Sequence, residues 1–433
     1  MLKVSDNRRF LVHDDGRPFF YLGDTAWELF HRLNRQEAET YLANRAAKGF
    51  TVIQAVVLSE LDGLGASNAY GDLPLIDRDI DKPDGAYFRH VDYVVDKAAS
   101  LGLHVGMLPT WGDKVGVAPG KTIQEHNARR YGRFLGRRYA ENPIIWILGG
   151  DRPAEGNVEI WNELAAGLDE GDGGSHLMTY HPYGGMHSST WFHYESWLDF
   201  NMVQSGHSPT NTNYRHIQQD YNLRPPKPCM DGEPSYEYPP DDMPPQRPVG
   251  AVQVRRNAYW SVFAGSHGHT YGTHPVWQMY DPPRQPLWEV HTPWHKALDL
   301  PGAGQMRYLK ALMLSRPFLT RIPDQRVIRS GLNWGLGYVQ ATRDGTVGKS
   351  DSTYVMVYFP QHQKVLLDVG KIAAKTLRGW WFNPRDGQAG QPREFANAGM
   401  MEFQPPTAVE GEDWVLVVDD AGKDYPAPGG QRG

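Results

Sequence analysis

Two short acidic segments, Ile144-Ile145-Trp146-Ile147-Leu148-Gly149-Gly150-Asp151 and Lys227-Pro228-Cys229-Met230-Asp231-Gly232-Glu233-Pro234, carry most of the chemistry legible in this chain. Each is a brief apolar run that breaks at glycine and delivers a carboxylate, the pattern by which a buried strand hands an acid to the mouth of a pocket. Paired carboxylates suit cleavage of a glycosidic bond, one donating a proton while the other attacks or activates water. Each acid also has an ordinary structural role open to it: Asp151 as the cap of a following helix, Glu233 as the partner of an arginine. Their joint occurrence favours the catalytic reading, because Gly149-Gly150 and Gly232 let a substrate approach the backbone on both sides of a site.

Other polar and aromatic residues end other apolar runs. Asp24 and Trp27 follow the first, Trp111 and Asp113 the third, His181 and Tyr183 the fifth, His207 the sixth; Tyr236 and His269 lie beside the later ones. Sugar recognition needs such a mixture, since hydroxyls take carboxylate and imidazole partners while a C–H face takes an aromatic ring. Asp24, Trp27, Trp111, His181, Tyr183, His207, Tyr236 and His269 are therefore the candidate substrate-binding residues, although Asp24 could simply cap a helix over Thr25–Phe30. His267, His269 and His274 raise a rival reading. Alternate strand residues share a face, so His267 and His269 could ligate one metal ion with Asp24 or Asp231. His-Glu-x-x-His is absent, however, and no Gly-x-Ser-x-Gly turn marks a serine nucleophile. The favoured reading calls for neither metal nor cofactor.

The elements that must position these residues alternate in type. Strand candidates are Phe19–Leu22, Thr51–Val57, Leu103–Leu108, Ile144–Leu148, His176–Tyr180, Phe200–Gln204, Pro228–Met230 and Ala264–Tyr271, several of them continuous apolar runs of the kind buried on both faces in a parallel sheet. Between them, Asn34 with Glu37 starts a helix over Arg35–Lys48, and Thr122 with Glu125 reads as a second capping box, opening a helix that buries Tyr131, Phe134, Leu135 and Tyr139. Further helices are expected over Val158–Leu168, Tyr214–Tyr221, Val252–Phe263 and Met306–Leu314. Eight strands alternating with helices predict an α/β chain built on a (β/α)8 TIM barrel, with its active site at the carboxyl ends of the strands. A doubly wound open sheet is the alternative, but no glycine-rich phosphate turn follows the first strand. Two long loops, Leu58–Phe88 and Tyr236–Gly250, are placed over the pocket.

Near Pro323-Asp324 the pattern changes to short alternating segments, Tyr354–Phe359, Lys364–Leu367, Gly379–Phe382 and Trp414–Val418, separated by turn signals. The expected division is a catalytic barrel over residues 1–323 and a small β-sandwich domain over 324–433, ending in a disordered tail from Pro426 to Gly433. Trp380, Trp381 and Phe382 are consecutive, so they cannot share one binding face and are expected in the core.

The 433 residues, 40% of them hydrophobic, suffice for these two units, and 14 Trp exceed what a core requires. A net charge of −6 without clustered Lys and Arg argues against a nucleic-acid surface. Cys229 stands alone and forms no internal disulfide. No run approaches a membrane helix and residues 1–6 show no targeting pattern, so the chain as written reads as soluble, either cytoplasmic or a trimmed secreted protein. The expected partner is a carbohydrate, with no nucleic acid and no membrane; the oligomeric state is open.

Four segments, Gly23-Asp24-Thr25-Ala26-Trp27-Glu28-Leu29-Phe30, Lys48-Gly49-Phe50-Thr51-Val52-Ile53-Gln54, Trp146-Ile147-Leu148-Gly149-Gly150-Asp151 and Asp231-Gly232-Glu233-Pro234-Ser235-Tyr236-Glu237, together resemble the apiosidase-like glycoside hydrolases of family 140, and the resemblance spans almost the whole chain. The resemblance implies a (β/α)8 barrel that hydrolyses bonds to apiose, a branched furanose of plant pectin side chains and plant glycosides. It implies Asp151 as acid/base and Glu233 as nucleophile in a retaining mechanism, and a C-terminal β domain of the type named for collagen binding. The chain departs from many related barrels, which carry Asn-Glu where it has Gly150-Asp151, so its proton sits about one methylene further back. An α-L-arabinofuranosidase, or a glycan- or matrix-binding protein without catalysis, are the alternatives.

Overall fold

The structure is a computed structural model and describes residues 1–118 and 120–430. Among the described residues, strands β1 (Tyr21–Thr25), β2 (Val52–Leu58), β3 (His104–Thr110), β4 (Ile144–Gly149), β5 (Met178–His181), β6 (Asn201–Gln204), β7 (Cys229–Asp231) and β8 (Gly268–Tyr271) form a parallel barrel. They pair in the order β5-β4-β3-β2-β1-β8-β7-β6. Asp199 N donates to Met178 O at 2.9 Å, and Thr179 Oγ1 to Phe200 O at 2.7 Å, across the β5–β6 seam. Seven longer helices, α1 (Arg35–Ala47), α2 (Gly85–Ser100), α3 (Glu125–Tyr139), α4 (Val158–Asp172), α5 (Tyr214–Tyr221), α6 (Ala251–Phe263) and α7 (Pro301–Leu314), make the outer ring, and the short helix Ser189–Phe192 serves between β5 and β6.

The continuous apolar runs are explained by burial on two sides. Tyr21, Val52, Val56, Leu108, Ile145, Ile147, Met202 and Met230 fill the barrel interior, while their strand neighbours Leu22, Ile53, Ala55, Trp146 and Leu148 pack against the helices. A small antiparallel sheet of Leu2–Val4, Leu11–His13 and Pro18–Phe19 sends Leu11 and Phe19 into the interior cluster and closes the floor.

Local expectations shift where polar letters hide in the core. The first barrel strand begins two residues later than Phe19, which belongs to the floor sheet, and runs through Gly23-Asp24-Thr25. The last begins at Gly268, not Ala264, because Ala264 caps α6 and Gly265 turns the chain at φ 122°. Asn34 and Glu37 do form a reciprocal capping box, at 2.9 and 3.0 Å. The second box is displaced: α3 starts at Glu125, its cap Gln124 donates its backbone N–H to Asn127 Oδ1 at 2.9 Å, and Thr122 instead bonds Lys114 O.

The C-terminal part is a sandwich of two antiparallel sheets. The larger holds Ile322–Pro323, β9 (Gln340–Arg343), β10 (Tyr354–Phe359), β12 (Thr376–Phe382), β13 (Arg393–Ala396) and β15 (Trp414–Asp420); the smaller holds Ile328–Ser330, β11 (Val365–Asp368) and β14 (Met400–Phe403). Its strands alternate faces. Val355, Val357, Phe359, Leu416 and Val418 face the smaller sheet, whereas Tyr354, Met356, Tyr358, Trp380, Phe382, Val415 and Val417 join the barrel's helical core. Trp381 goes the other way, onto Phe359 at 5.4 Å. In the expected tail, Pro428 is buried and Gly430 N bonds Ala427 O at 2.8 Å, while residues 431–433 lie outside the described residues.

Candidate active site

Glu233 follows β7 through Gly232, which is tightly constrained, since a Cβ there would lie 2.5 Å from the Met202 side chain. The Glu233 carboxylate is buried between two imidazoles: His207 Nε2 is 3.1 Å from Oε1, and His181 Nε2 is 2.8 Å from Oε2, a contact without the alignment of a hydrogen bond. His207 is oriented by Pro234 O, 3.0 Å from its Nδ1, so both ring nitrogens face acceptors. Burial alone would raise the Glu233 carboxyl, but the two histidines outweigh it and hold the group well below the usual carboxylate range.

Asp151 is delivered from the opposite side by a turn in which Gly149, Gly150 and Asp151 take φ of 94°, 116° and 54°. A Cβ at Gly149 would come 2.2 Å from His181 O and one at Gly150 2.8 Å from the Trp111 ring, so side chains are excluded there. The left-handed conformation at Asp151 is strained, and such strain is concentrated at functional sites. Arg152 Nη1 lies 3.5 Å from its Oδ2, and the Asp151 side chain is 37% exposed. Partial burial and the Glu233 charge push the Asp151 carboxyl above its ordinary value, against the pull of His181 and Arg152.

Aromatic rings wall this pair. Trp27 and Trp111 are 5.3 Å apart and flank His181, at 5.3 and 5.9 Å, while Tyr236 lies against His207 at 4.2 Å. The structure thus brings together Asp151, Glu233, Trp27, Trp111, His181, His207 and Tyr236.

Three expected residues fall elsewhere. Asp24 is fully buried in the strand–helix layer, bonded by Arg45 Nε at 2.7 Å and Tyr41 Oη at 2.5 Å, so it neither meets substrate nor caps a helix. His269 pairs in register with Leu22 and Asp231 on the sheet face turned to the helices, and burial pushes its imidazole down to about 3. Tyr183 lies tilted against Trp191 at 6.1 Å in the turn beyond β5. The three histidines of the metal reading separate: His267 precedes the strand and faces Phe200 and Tyr21 at the barrel floor, His269 faces outward, and His274 stacks on Tyr238 at 4.0 Å. Among the described residues no group of three or more His, Cys, Asp or Glu is arranged to hold a metal ion.

Two residues at the mouth escaped the sequence reading. Trp277, just beyond β8, packs with Trp27, Trp111 and Tyr236. Glu60 follows β2, and burial together with the Asp151 and Glu233 charges pushes its carboxyl up to about 8.

Residues 5–320 match the family model "Apiosidase-like, catalytic domain", and residues 322–419 match "Putative collagen-binding domain of a collagenase". A solved structure titled "Glycoside hydrolase" is 37% identical, with 98% of each chain covered and a TM-score of 0.90. A structure titled as a glycoside hydrolase family 5 from Bacteroides vulgatus is 36% identical, covering 99% of this chain and 95% of that one, also with a TM-score of 0.90. A search of curated proteins found no significant match. With its catalytic part matched over nearly its full length, the chain belongs to the apiosidase-like family and is a glycoside hydrolase with a carbohydrate substrate.

Proposed function

We propose that this glycoside hydrolase is a family 140 apiosidase that releases a terminal β-linked apiofuranose from a plant glycoside or pectin-derived oligosaccharide, with retention. Asp151, holding its proton, gives it to the glycosidic oxygen as the bond to the anomeric carbon breaks. Glu233 attacks that carbon and forms a glycosyl-enzyme ester. Asp151 then takes a proton from water, whose oxygen displaces Glu233 and restores both carboxyls. The observation that carries this reading is two carboxyls at one mouth in opposite surroundings, Glu233 buried between His181 and His207 at 2.8 and 3.1 Å and Asp151 partly exposed, with burial and the Glu233 charge pushing its carboxyl above the ordinary value. Trp27, Trp111, Tyr236 and Trp277 are all nearly fully buried around the pair, which suits one small sugar better than an open polymer cleft.

The test is a panel of aryl glycosides carrying β-apiofuranose, α-arabinofuranose, β-xylopyranose, β-glucopyranose and β-galactopyranose, with the released sugar identified. Preference for β-apiofuranose is expected. Preference for α-arabinofuranose would keep the hydrolase and remove the apiosidase assignment; turnover of none, natural apiosides included, would favour glycan binding without catalysis.

A further inference from the structure

A third carboxyl stands at the mouth, outside the two acid roles. Glu60 lies just past the carboxyl end of β2, and the chain on both sides of it is tied to one buried group: Ser59 Oγ donates to Glu28 Oε2 at 3.1 Å and Leu61 N to Glu28 Oε1 at 3.3 Å. Glu28 is itself fixed by His31 Nδ1 at 2.7 Å and by Arg32 Nε at 3.5 Å. The Glu60 backbone is therefore clamped, yet among the described residues its own carboxyl makes no hydrogen bond or ion pair. The charged groups that act on it are Asp151, Glu233, Glu28 and Arg152, three acids and one base.

We propose that Glu60 is a substrate-contacting, specificity-determining residue whose carboxyl donates a hydrogen bond to a hydroxyl of the sugar seated between Asp151 and Glu233. This rests on the glycoside hydrolase reading of that pair. Three carboxyls converging on one mouth cannot all be ionised at neutral pH. Glu233 is held charged by His181 and His207, Asp151 is the acid of the pair with its carboxyl already raised, and Glu60 has no cation in contact, so burial and its acidic neighbours push the Glu60 carboxyl up to about 8 and it stays a donor beside Asp151. A neutral carboxyl supplies a donor among groups that otherwise accept. It also spares the sugar ring a further negative charge beside Glu233. A clamped backbone with an unpartnered head group is the form that discrimination by hydrogen bonding requires, because a sugar lacking the matching hydroxyl leaves the donor unsatisfied.

The experiment uses the full chain carrying Glu60→Gln or Glu60→Ala, with two readouts: kcat/KM on aryl β-apiofuranoside from about pH 5 to about pH 10, and calorimetric binding of free apiose near pH 7. Glu60→Ala is expected to lose about 10²-fold in kcat/KM and about tenfold in apiose binding, with its melting temperature maintained. Glu60→Gln, which still donates, is expected to stay within about tenfold of the parent in kcat/KM at neutral pH, to retain apiose binding, and to keep only the alkaline limb set by Asp151, without a further decline at about pH 8. The proposal is overturned if Glu60→Ala stays within about threefold of the parent in apiose binding, or if Glu60→Gln loses as much apiose binding as Glu60→Ala. Sugar binding reports on Glu60 without turnover, so an inactive parent would remove the hydrolytic mechanism while the binding comparison still decides for or against Glu60.

Discussion

Glu233 and Asp151 share one functional group and are driven apart by what touches them. Two imbalances follow. Glu233→Gln should lower kcat by on the order of 10³-fold or more with the melting temperature unchanged, since the amide keeps the volume and loses the nucleophile. Asp151→Asn should impair alkyl and sugar leaving groups about 10²-fold more than nitrophenyl ones, because a good leaving group needs little protonation; equal losses across the series would remove the acid role. Glu60 predicts a stability effect with a definite sign. Its folded value, about 8, lies above that of an unfolded glutamate, so the group favours the folded state below the unfolded value and this advantage is lost as pH rises through about 8. Replacing it by Gln should therefore stabilise the protein at pH 8–9 by about 1–3 kcal/mol, allowing for solvent screening, with no gain near pH 4, as measured by thermal melts across pH.

At the scale of elements, legibility followed burial. The strands β2, β3 and β4 announce themselves as apolar runs because helices and interior both cover them, and the acids at the ends of β4 and β7 were found by the glycine that follows each run. Glu60 obeys nearly the same rule, one residue past Ser59 at the end of Val52–Leu58, but no glycine breaks that run, and it opens a long loop with no periodicity. Asp24 was misplaced because a strand-end carboxylate reads the same whether it meets solvent or a buried arginine; only the arrival of Arg45 from α1 decides. His269 was misplaced because its face depends on where the strand begins. The Asp24–Arg45 pair carries its own test: Arg45→Met leaves a buried carboxylate without its cation and should cost about 3–5 kcal/mol, while the double variant Asp24→Leu/Arg45→Met should recover most of that. The activity per folded molecule should hardly change in the double variant, whereas a large fall in kcat/KM would return Asp24 to the sugar site.

At the scale of the molecule, the barrel and the sandwich share one core. Arg255 of α6 pairs with Asp413 at 2.8 Å and Arg316 with Asp419 at 2.8 Å, all four side chains buried, while Tyr259 stacks on Tyr358 at 5.0 Å and Tyr214 on Tyr338 at 4.1 Å. The larger sheet is thus apolar on both faces, one for its own sandwich and one for the barrel. A single cooperative calorimetric transition is expected for the full chain; two separable transitions would mean that the sandwich is an independent appendage. Arg255→Ala, which strands Asp413 in that interface, should lower stability by about 3–5 kcal/mol without altering the pH profile of catalysis.

The most direct test of the account is to locate the covalent intermediate. Asp151→Asn, mixed with an activated aryl β-apiofuranoside and quenched during turnover, should accumulate the glycosyl-enzyme, because deglycosylation has lost its base. Peptide mapping by mass spectrometry should then find one dehydrated pentose on the peptide that contains Glu233, and the modified side chain should be Glu233 itself. A sugar on Asp231, Glu237 or Glu60, or an inverted product with no adduct at any time, would contradict it.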